Sequence, residues 1–83
     1  MLKSIEKLLK CGNDMKVGNH SSEHYFSVCF YKYFGTTISE VDYGKKEFKL
    51  PYKGMYENSN STKRAVNDYR RYFNEQGFTL VEE

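Results

Sequence analysis

The sequence contains no tryptophan, one proline, one alanine and two cysteines, and no apolar stretch approaches the roughly 18 residues needed to span a membrane. The last absence excludes a membrane-spanning helix. The first ten residues, MLKSIEKLLK, carry charge too regularly for the apolar core of a secretory signal, so a cytoplasmic location is the expectation. Small secreted scaffolds usually hold four or more cysteines, and Cys11 and Cys29 therefore read as reduced thiols. An excess of one charge sign is missing too. Thirteen basic residues against eleven acidic ones give a net charge of +2 and a pI near 8.5. That lies below the pI of about 9 that marks a nucleic-acid-binding domain on charge alone. Any affinity for phosphate must come from a local patch.

What is present is a chain of 83 residues, the size of one domain spanning 1–83. A domain this small buries only about 60% of its unfolded surface, which leaves little room for a deep catalytic cleft beside a core. A surface that binds is favoured over a pocket that reacts. Ten of the thirteen basic residues are lysine, and tyrosine and phenylalanine number eight and six. This is the usage expected of AT-rich codons, and points to a low-GC bacterium, or a phage or mobile element that grows in one.

The clearest structural signal runs from Asn60 to the end of the chain. At 100° per residue, Ala65, Val66, Tyr69, Tyr72 and Phe73 share one arc, and Lys63, Arg64, Asn67, Arg70, Arg71 and Asn74 fill the other side. The pattern predicts an amphipathic helix over 62–76, with Ser61 as its N-terminal cap and Gly77 as its left-handed stop. Phe78 and Leu80 then alternate with Thr79 and Val81, which predicts a closing strand. Near the start, Leu2, Ile5, Leu8 and Leu9 oppose Lys3, Glu6, Lys7 and Lys10, so a short helix over 2–11 ends at Gly12.

Between the helices, 12–23 has loop composition, with room for a short edge strand at Met15 to Val17. Its glycines are too far apart, and lack the Lys-Ser/Thr, for a phosphate loop. Residues 24–34 read as one strand. Phe26, Val28, Phe30 and Phe34 are expected to face the core, with Tyr25, Ser27, Cys29, Tyr31 and Tyr33 on the other side. Thr36 to Tyr43 and Lys46 to Tyr52 predict two strands joined at Gly44-Lys45, with Pro51 at a strand end because it has no N–H to donate. The expected fold is a single α+β domain, with an antiparallel sheet of about four strands in the order α-β-β-β-α-β.

Cys11, His20, His24 and Cys29 are the ligand types of tetrahedral zinc, but structural sites present cysteine pairs two to four residues apart, and here each stands alone. Neither thiol sits where a helix N-terminus or a cation would activate it as a nucleophile. Glu40, Asp42 and Glu47 converge near the Gly44 hairpin, where charges are normally solvated. The expectation is no catalytic residue, no metal and no cofactor.

Two candidate binding surfaces remain. One is the polar side of the long helix, with Lys63, Asn67, Arg70, Arg71 and Asn74, although Arg64–Asp68 and Arg71–Glu75 pairs at i, i+4 would neutralise part of it. The other is the sheet face carrying Tyr25, Tyr31 and Tyr33, since aromatic side chains anchor protein interfaces and stack on bases. The paired aromatic motifs of RNA-recognition sheets, a helix-turn-helix pattern and the dense acidity of a DNA mimic are all missing. Elimination leaves a non-enzymatic protein-binding module as the expected function. An accessory protein of a phage or mobile element fits, one that inhibits or regulates a larger nucleic-acid-processing or defence complex such as a CRISPR effector. The alternative is direct nucleic-acid binding through the 62–76 helix and the sheet tyrosines.

Overall fold

The computed structural model describes residues 1–82; Glu83, the last residue of the expected domain, lies outside the described residues. The chain forms α1 (Lys3–Lys10), β1 (Met15–Val17), β2 (His20–Tyr25), β3 (Val28–Tyr33), β4 (Thr36–Asp42), β5 (Glu47–Lys49), a 3₁₀ turn (Lys53–Met55), α2 (Asn60–Glu75) and β6 (Thr79–Glu82). The class is α+β, as expected. The sheet has six strands among the described residues, in the order β1-β2-β3-β4-β5-β6, instead of four. It is also mixed. β1 to β5 form an antiparallel meander, but β6 lies parallel to β5. A strand that returns through a crossover helix re-enters from the end where its neighbour began, so the α2 connection makes this pair parallel.

One extra strand, β1, is the short edge strand for which 15–17 had room; the other, β2, has two causes. Residues 20–23, His-Ser-Ser-Glu, look like a loop by composition, yet they pair with Lys32, Tyr31 and their neighbours as part of β2. The expected strand 24–34 is broken by a two-residue hairpin, Phe26-Ser27, with Tyr25 opposite Val28. No Gly, Asn or Asp announces this turn, and Phe26 takes the left-handed conformation itself, at φ 55°.

That turn, together with the one at Phe34-Gly35, removes Phe26 and Phe34 from the supposed phenylalanine face. Within β3 the choice is then Cys29, Tyr31 and Tyr33 against Val28, Phe30 and Lys32. Burying Lys32 would cost more than burying Tyr31, whose hydroxyl keeps a hydrogen bond, and half-burying Tyr33, so the tyrosine face turns inward. Cys29 and Tyr31 are buried, Phe30 is half-buried on the outer face, and Phe26 and Phe34 are exposed. The expected assignment of faces is therefore inverted.

Both helices cover that inner face. Ile5 and Leu8 of α1, and Ala65, Val66, Tyr69 and Phe73 of α2, join Cys29, Tyr31, Ile38, Val41, Phe48 and Leu50 in one core. The Phe73 ring lies 5.6 Å from that of Phe48 and 6.1 Å from that of Tyr31, and Tyr31 lies 5.0 Å from Tyr69. The Tyr31 and Tyr43 hydroxyls meet at 2.6 Å. Ser22 and Ser39 are buried on the same face as Tyr31, their cross-strand partner.

The ends of α2 explain its length. Ser59, two residues before the expected cap, accepts from the Thr62 N–H at 3.3 Å, which starts the helix at Asn60. At the other end, the Phe78 N–H donates to the Phe73 carbonyl and the Gly77 N–H to that of Asn74, with Gly77 at φ 83°. This double closure needs a left-handed residue, and the Phe73–Phe78 ring contact at 5.2 Å seals it. The same closure aims the chain into β6.

Candidate functional site

With both helices on one face, the other face of the sheet carries no second layer among the described residues. Cross-strand register sets out its side chains in rows. One row runs Tyr25, Val28, Asp42, Glu47, Thr79. The next holds Glu23, Phe30, Glu40 and Lys49, and a third Ser21, Lys32 and Thr37. Phe26, in the turn that follows Tyr25, stands at the hairpin tip with a relative exposure of 108% and borders a groove with Leu9, Cys11, His24 and Val28.

Electrostatics divide this face into an ion-paired half and one that holds a pair of like charges, where Asp42 Oδ1 accepts the Lys45 N–H at 3.0 Å. Lys32 Nζ lies 2.6 Å from Glu23 Oε1, and the Tyr25 hydroxyl donates to Glu23 Oε2 at 2.7 Å. The Lys32 bond, and then the Tyr25 bond, hold the Glu23 carboxyl below its usual range, and the same contacts raise Lys32 and Tyr25. The rings of Tyr25 and Phe30 meet edge to face at 5.6 Å. In the other half Lys49 lies 3.8 Å from Glu40. Asp42 and Glu47 sit directly opposite each other on β4 and β5, and neither pairs with a cation among the described residues. Like charges in this position oppose folding.

Of the tyrosines expected to bind, only Tyr25 is exposed on this bare face. Tyr31 is 1% exposed and Tyr33 half-buried, its ring stacked on His20 at 4.6 Å under the helices. Neither Phe26 nor the Asp42–Glu47 pair was singled out for binding by sequence. Lys32 was the available signal: a charge in a strand marks the face that stays wet.

The expected helix site is also rearranged. Lys63, Asn67, Arg71 and Asn74 are exposed, but Arg70 is half-buried and donates to the Tyr56 hydroxyl at 3.3 Å, so it does not point outward. Asp68 does not neutralise Arg64. It is buried, and its Oδ2 accepts the Leu2 N–H at 2.8 Å. The Arg71–Glu75 pair does not form either. Lys63, Arg64, Asn67 and Arg71 instead line an open groove of about 390 Å³ with Met1, Asn60 and Asp68.

His24 lies opposite Cys29 across β2 and β3, but Cys11, His20, His24 and Cys29 do not converge, and no cluster of three or more metal-ligand residues occurs among the described residues. His20 is buried, and desolvation lowers its pKa against the opposing pull of Asp68. Burial pushes the Cys29 thiol up to about 11, which keeps it protonated and unreactive at neutral pH. Cys11 and His24 do line one groove, and His24 Nδ1 lies 3.3 Å from Asp14 Oδ1. The Cys11 thiol, however, is directed at the Asn13 carbonyl, 3.5 Å away.

Comparisons with protein-family models, curated proteins and solved structures return no match.

Proposed function

We propose that the protein is a non-enzymatic binding module that docks on a larger protein through the bare face of its sheet. The observation that carries this reading is Phe26. An aromatic ring is held wholly in solvent by left-handed backbone, a conformation that bulky residues rarely adopt, and it stands at the hairpin tip beside the line of Tyr25 and Val28, where it also borders the groove of Leu9, Cys11 and His24. Exposed aromatic anchors of this kind dominate protein interfaces. Beside the line, Asp42 and Glu47 supply two carboxylates in want of a cation, so the matching surface is apolar with lysine or arginine at its rim. Proteins that handle nucleic acid carry such basic surfaces. A nucleic-acid-processing or defence complex is accordingly the proposed class of partner, with a phage or mobile element as the proposed source.

The test is capture from a low-GC bacterial lysate treated with nuclease, followed by identification of the retained protein and reconstitution from purified components. Tyr25→Ser/Phe26→Ser is expected to weaken the reconstituted complex at least tenfold, as befits the loss of two anchors. Asp42→Lys/Glu47→Lys is expected to slow association and to reduce its salt dependence. A complex indifferent to both variants would refute docking through this face.

A further inference from the structure

On the far side of the molecule from the bare face, we infer that the groove lined by Lys63, Arg64, Asn67 and Arg71 binds the sugar–phosphate backbone of a nucleic acid. The inference is independent of docking through the sheet. Its basis is that neither acidic neighbour on the helix forms an ion pair with these cations among the described residues. Asp68, one turn beyond Arg64, forms part of the groove wall, but its carboxylate is turned to the Leu2 N–H and is buried. Glu75, one turn beyond Arg71, makes no ion pair with it among the described residues. The first turn of α2 contains no acidic side chain, so the positive end of the helix dipole adds to the same potential.

The spacing suits a polymer of regularly placed negative charges. Lys63 and Arg71 are eight residues apart, roughly 12 Å along the helix at 1.5 Å per residue. That length covers three to four nucleotide steps at about 3.4 Å of rise each. Asn67 falls between the cations and can both donate and accept, which serves a phosphate oxygen or a base edge. A lipid surface fits less well, because Met1 is the only apolar side chain in the groove wall among the described residues and interfacial helices need a broad apolar face. Arg70, committed to Tyr56, is not part of the site.

Fluorescence anisotropy with a labelled mixed-sequence oligonucleotide, single- and double-stranded, tests the inference. Three phosphate contacts predict a log–log salt slope of about −2.1 on single strands or −2.7 on duplex. Lowering salt from 200 to 50 mM then tightens binding by about 20- to 40-fold. Arg64→Gln/Arg71→Gln removes two contacts, and the same salt change should tighten binding by only about threefold. Lys45→Gln/Lys46→Gln, in the β4–β5 connection, should leave the parent slope intact. Circular dichroism, run alongside, should show both variants folded. The inference is overturned if no oligonucleotide binds at 50 mM salt or if the Arg64/Arg71 variant retains the parent slope. Equal competition by polyglutamate or by vesicles containing phosphatidylserine would overturn it in favour of a generic anion surface.

Discussion

The two faces of this sheet differ less in hydrophobicity than in charge. The covered face buries His20, Ser22 and Ser39 beside Cys29, Tyr31, Val41 and Phe48, while the bare face leaves Tyr25 exposed and Val28 and Phe30 half-exposed. Every charged residue of β1 to β5 lies on the bare side: Lys16, Glu23, Lys32, Glu40, Asp42, Glu47 and Lys49. An aromatic ring tolerates water at modest cost, and a serine tolerates burial at a cost of about 1–3 kcal/mol at most. A lone buried charge is far more expensive, so charge decides which side the helices cover. The face left open then retains apolar groups that have no role in the core, and these become available for binding.

Removing a ring from each face is the strongest way to break this comparison. Tyr31→Ala should cost about 3–5 kcal/mol in urea denaturation followed by circular dichroism, since it leaves a cavity under α2 and strands the Tyr43 hydroxyl. Phe30→Ala, one residue away on the open face, should cost no more than about 1 kcal/mol. Equal losses would mean that the faces are not distinct. A smaller effect concerns Phe26. Asparagine accepts the left-handed conformation, so Phe26→Asn should raise stability by up to about 1 kcal/mol while weakening partner capture. Destabilisation would show that the ring has a structural role. The smallest effect distinguishes the covered face by pH. Burial lowers the pKa of His20 below its ordinary 6.5. Between the two values the unfolded chain holds a proton that the folded chain refuses, so stability is full above pH 6.5 and declines as pH falls below it. His20→Gln should remove this decline from melting curves measured between pH 7.5 and 5.5.

Local pattern was sufficient for both helices in outline, for the Gly77 stop, for the turn around Gly44 and for the α+β class. Each rests on interactions within a few residues, where period and capping chemistry are visible in the chain itself. It was not sufficient for the expected stop at Gly12, because α1 ends at Lys10 with Cys11 already extended, nor for the expected cap at Ser61, whose place Ser59 takes. The polar groove on α2 was legible in outline, because helical spacing alone groups Lys63, Asn67 and Arg71. Tertiary structure decided that Arg70 turns to Tyr56 and that Asp68 is taken by Leu2, contacts made across 14 and 66 residues of chain. It also decided the strand count, the parallel β6 and the inner face of β3. A two-residue turn at Phe26-Ser27 has no compositional signature, and its position sets which alternate residues of the following strand point inward. Only packing against α1 and α2 resolves that parity, because it alone imposes the cost of burying Lys32.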